Sequence, residues 1–62
     1  MKIKMTGYCE NGVDTRKYYL ITDEEESPID RVAAGVIAMA LKLENKLKMY
    51  EEDGCTIWEE IK

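Results

Sequence analysis

Apolar and polar residues alternate at the start of the chain. Ile3, Met5 and Cys9 fall on one face of residues 2–9, and Lys2, Lys4, Thr6 and Tyr8 fall on the other. That period of two predicts a half-buried strand. Glu10-Asn11-Gly12 is a turn signal, because Asn-Gly suits positions with positive φ. Residues 15–22, TRKYYLIT, are rich in aromatic and β-branched types and predict a second strand. The two strands make an antiparallel hairpin over residues 2–22. The pattern does not decide whether Tyr18 and Leu20 or Tyr19 and Ile21 face inward, and the second pair is preferred.

After residue 27 the period changes. Ile29, Val32, Val36, Met39, Leu43 and Tyr50 recur at spacings of three and four, with Lys46 interrupting. Ala33, Ile37, Ala40, Leu41 and Leu47 widen the stripe. This predicts one long helix over 28–53, with Ser27 as N-cap, Pro28 at the first helical position and Gly54 as the stop. Such a helix has about 25 residues and is ~38 Å long. Its apolar arc is wider than a coiled-coil seam and suits packing on a sheet plus something else. Gly35 in the helix interior costs ~1 kcal/mol relative to alanine, which close approach of another backbone would offset. The sequence leaves open whether the helix is straight or breaks near Asn45.

Residues 55–62, CTIWEEIK, have the Thr56/Glu59 spacing of a capping box, and Ile57, Trp58 and Ile61 would share one face of a short helix. A short third strand is the alternative. The expected fold is therefore α+β, a small single domain in the order ββαα. It comprises the hairpin 2–22, an acidic connector 23–27, the long helix 28–53 and the C-terminal segment 55–62. The first half of the helix covers the hairpin and the second half overhangs it. The overhang predicts a homodimer with Ala34, Ala38, Leu41 and Leu47 near the contact.

Composition narrows the chemistry. A chain of 62 residues buries only ~60% of its unfolded surface and usually needs a disulfide, a metal or self-association. No apolar run is long enough for a membrane span, and the N-terminus lacks the apolar stretch of a signal peptide. A cytoplasmic protein is expected, in the host cytoplasm if phage-encoded, with Cys9 and Cys55 free. There is no histidine, so Ser-His and Cys-His pairs are excluded. The one serine, Ser27, is already assigned to a cap. No catalytic residue, metal ligand or cofactor motif is expected. Two cysteines without histidine make a poor zinc site, and the run Asp23-Glu24-Glu25-Glu26 lacks the alternation of a calcium loop.

Charge is segregated. The net charge is -4, and the acids gather at residues 23–30 and 49–62. Acid before the helix suits its dipole, whereas Glu51-Glu52-Asp53 at its far end opposes it. Three classes of function remain open. The first is a small acidic protein-binding module that regulates or inhibits a larger protein, as phage and mobile-element accessory proteins do. It would occlude a basic, nucleic-acid-binding surface with Glu24, Glu25, Glu26, Glu51, Glu52 and Asp53, with Tyr50 and Trp58 as apolar anchors. The second is nucleic-acid binding through Lys2, Lys4, Tyr8, Arg16 and Tyr18 on the hairpin, disfavoured by the acidic balance. The third is a structural subunit of an oligomeric assembly.

Overall fold

The computed structural model, which describes residues 1–62, is mostly sheet. Its elements are β1 (Lys2–Thr6), β2 (Cys9–Glu10), β3 (Val13–Asp14), β4 (Lys17–Ile21), β5 (Glu26–Ile29), α1 (Arg31–Leu43), β6 (Leu47–Glu52) and β7 (Cys55–Glu60). Five strands form one antiparallel sheet in the order β5-β4-β1-β7-β6, while β2 and β3 form a two-stranded extension of the first hairpin. The N-terminal strand is thus the middle of the sheet, bonded to β4 on one side and to β7 on the other. The expected ββαα order is overturned, because the second half of the chain adds a second hairpin rather than a second half of helix.

Three local devices cause the difference. The helix starts at Asp30, whose Oδ1 accepts from the Ala33 amide at 2.7 Å. Ser27 and Pro28 lie instead in β5, an edge strand, where a sheet tolerates proline. The helix then stops at Asn45, in the left-handed region with φ of 58°. Lys46 donates to the Leu41 carbonyl at 2.8 Å and Asn45 to that of Lys42 at 3.0 Å, the paired bonds of a Schellman motif. The helix has 13 residues, about 20 Å rather than ~38 Å. Finally, Asp53 (φ 52°) and Gly54 (φ 77°) form the same kind of two-residue turn as Asn11 (φ 50°) and Gly12 (φ 80°). Gly54 is therefore a hairpin residue and not a helix stop.

Register decides which side chains meet α1. Ile3 stands opposite Leu20 and Trp58, and Met5 opposite Tyr18. Directly opposed residues share a face, so Ile3 draws Leu20 and Tyr18 inward, and Tyr19 and Ile21 face away. The crevice between helix and sheet is lined by Ile3, Tyr18, Ala34 and Trp58. Ile57 and Trp58 occupy opposite faces of β7, not one face of a short helix. Only Ile3, Ala34, Leu41 and Ile57 are fully buried. Ile57 sits on the face without a helix, with Lys4 and Tyr50 directly across from it.

Candidate interaction surface

The helix has two apolar faces and the sheet covers one of them. Ala34 and Leu41, seven residues apart, are buried against the sheet. Val32, Val36, Met39 and Leu43 point to solvent and are between 64% and 79% exposed. Their spacing of four, three and four makes a straight stripe along the helix. No charged residue lies between Arg31 and Lys42. Helices that are apolar all round are normally buried on all sides.

The stripe continues into a groove. A shallow depression over Val32, Val36 and Met39 adjoins a groove of about 610 Å³ whose walls include Leu47, Met49 and Trp58. Gly35 and Met39 belong to both. Met49 on β6 is itself 66% exposed. Two flexible, polarisable methionines give this surface an adaptable lining. Gly35 has no packing reason inside the chain, since a β-carbon built there meets nothing within 4 Å.

The uncovered face of the sheet is polar and internally matched. Lys4 Nζ pairs with Glu26 Oε1 at 2.6 Å and lies 5.5 Å from the centre of the Tyr19 ring. Its hydrogen bond to Glu26 holds the Lys4 pKa above the ordinary value of 10.5. The Tyr50 hydroxyl donates to Glu59 Oε1 at 3.2 Å, and desolvation, followed by the charge of Glu59, raises its pKa above 10.0. Lys48 lies over the Tyr50 ring at 5.4 Å. On the hairpin, Arg16 grips Asp14 with both Nε and Nη2, at 3.0 and 2.9 Å. No three carboxylate or thiol groups converge as a metal site would require. Cys9 is exposed, Cys55 half-buried, and both are free thiols.

The residues singled out in the sequence are scattered. Ala34 and Leu41 are buried within the chain and are not available to a dimer contact, a correction that follows from the sheet taking this face of the helix. Ala38 and Leu47 are half-buried on the groove walls. Tyr50 lies on the uncovered face and Trp58 on the helix-covered face, because they are neighbours of opposite phase in the β6–β7 pair. Glu24 and Glu25 sit in the turn before β5 and Glu26 begins that strand. Glu51 and Glu52 end β6, and Asp53 is in its turn. β5 and β6 are opposite edges of the sheet, and the clusters lie at opposite ends of their strands. The acids therefore form two corners rather than one surface. Of the basic hairpin set, Lys4 and Arg16 are ion-paired and Tyr18 faces the helix.

The exposed stripe was not singled out as a site. Its signal is present in the sequence, since a helix apolar on all sides needs cover on all sides. Comparison of the chain with protein-family models, with curated proteins and with solved structures finds no match. No helix is long and apolar enough to cross a membrane.

Proposed function

We propose that the protein is a non-enzymatic protein-interaction module whose binding element is the outer face of α1. The observation that carries this reading is the exposed stripe Val32, Val36, Met39 and Leu43 on an otherwise highly charged chain. Exposed apolar side chains gathered into one contiguous patch, unlike those scattered singly, are a common mark of surfaces that meet another chain. The adjoining groove supports it, offering depth beside the stripe for an inserted side chain. In this reading the protein works by contact with another folded chain through this face, and the acidic corners at Glu24–Glu26 and Glu51–Asp53 shape the approach of charged partners.

The test is site-specific photocrosslinking in cells that express the protein. A benzophenone amino acid in place of Val36 should yield a covalent protein adduct on irradiation. The same group in place of Gly12, at the tip of the extension, should not. If neither position forms a protein adduct, the reading fails.

A further inference from the structure

We propose that the occupant of the stripe is a second copy of this chain, two α1 helices packing against each other across a two-fold axis. The proposal rests on the preceding reading that the stripe is a protein-binding surface, and adds the identity of the partner.

Three observations lead to a copy. The first is area. A 7.2 kDa monomer is expected to expose ~4,100 Å², whereas this chain exposes 4784 Å². The excess, on the order of 650 Å², is spread over the whole chain, with the open outer face of α1 and the protruding β2–β3 extension both contributing to it. The second is symmetry. The spacing of the four stripe residues reads the same from either end, so the patch can meet itself with Val36 and Met39 at the centre. The third is charge. Two copies of a chain with net charge -4 repel each other, and acidic corners or ion-paired sheet faces would confront like with like. From Val32 to Leu41 the helix carries no charge, so here two copies meet without like charges in direct contact, and only the longer-range repulsion between the acidic chains remains. Gly35 completes the fit. It is a costly residue in a helix, and the space above it is open in the single chain. In the pair that space receives the neighbouring helix.

Mass measurement by light scattering, with wild type and two variants, tests this. Wild type should show twice the chain mass at micromolar concentration. Val36→Glu and Met39→Glu each bury two carboxylates beside the two-fold axis, opposite apolar side chains, and should weaken the pair by ~100-fold or more in Kd, leaving single chains. Both side chains are mostly exposed in the single chain, so helix content by circular dichroism should be unchanged. Because the contact is neutral and the copies are acidic, added salt should tighten the pair, whereas a salt-bridged contact would loosen. A wild type that stays at the single-chain mass overturns the proposal, and so do variants that remain paired. The photocrosslink at Val36 separates the two levels. An adduct of twice the chain mass supports the pair. An adduct to a different protein overturns the pair and keeps the interaction module, and no adduct removes both.

Discussion

Gly7 and Thr15 meet back to back where β1 leaves the main sheet. A β-carbon on Gly7 would clash with the Thr15 carbonyl oxygen, and Gly7 has φ of +79°. The approach is held by the next residue, since Tyr8 N–H donates to Thr15 Oγ1 at 3.1 Å and Thr15 N–H donates to the Tyr8 carbonyl at 2.8 Å. Gly7→Ala must therefore overcome both a strained φ and a backbone clash, a loss of ~2–4 kcal/mol. Gly35→Ala should act in the opposite direction. Nothing lies near its missing β-carbon, and helix propensity alone predicts a gain of ~1 kcal/mol. Urea unfolding of dilute protein measures both, and a shared sign would contradict this account.

The helix ends make a second pair of expectations. Asp30→Ala removes the acceptor for the Ala33 amide and should cost ~1 kcal/mol. At Asn45, with φ of 58°, Asn45→Gly should be neutral or stabilising, whereas Asn45→Val should cost ~1–2 kcal/mol because a β-branched residue resists the left-handed region. Thermal melts followed by circular dichroism resolve these differences. If Asn45→Val were silent, the helix would not end there.

These ends also show where the fold was legible. The Asn11-Gly12 turn was read correctly because it stood between two plainly alternating segments. Asp53-Gly54 carries the same hairpin signal, but Gly54 also fits a helix stop, and the 3-4 spacing of Leu43, Leu47 and Tyr50 favoured that assignment. Leu47 and Met49 also alternate with Lys48 and Tyr50, a period of two that runs only as far as Glu51-Glu52. The deciding clue was physical. Glu51-Glu52-Asp53 would have opposed the dipole of a helix ending at Gly54, and as strand and turn residues they meet no dipole. The inward pair on β4 was missed for another reason. Its phase follows from which residue opposes Ile3, and that is a property of register, not of β4 alone. The exposed stripe was half-legible, since apolar residues were found all round the helix but the sheet's choice of face could not be seen.

Asp14 supplies the pH dependence. The fork of Arg16 holds its carboxyl down to about 2, against an ordinary 3.8. The folded state therefore favours the charged form. Its contribution to stability is full above pH 3.8 and is lost as pH falls from there towards 2. A carboxyl titration by NMR should show this depression in the wild type and its return to the ordinary range in Arg16→Gln. The pair is solvent-exposed, so the depression should also shrink in high salt. An Asp14 that titrates normally in the wild type would mean that the fork does not persist in solution.

Leu41 and Leu43 test the fold and the interface together. They are two residues apart on one helix, yet Leu41 is buried in the core while Leu43 is the most exposed of the large apolar side chains. Leu41→Ala leaves a cavity beneath the helix and should cost ~2–5 kcal/mol. A domain of this size holds only ~3–9 kcal/mol in total, so the variant keeps a thin margin and should melt well below the wild type. Leu43→Ala breaks few contacts within the chain, and at high dilution its stability should match the wild type within ~0.5 kcal/mol. Association changes this at higher concentration. Anything that binds only the folded chain raises its Tm by mass action, so the wild-type Tm should climb with protein concentration. Truncating Leu43 removes part of the shared apolar surface, so the Leu43→Ala curve should climb less steeply. Two leucines would then report separately, Leu41 on the core the sheet encloses and Leu43 on the face it leaves open. Parallel concentration curves for wild type and Leu43→Ala would place any self-contact elsewhere on the molecule.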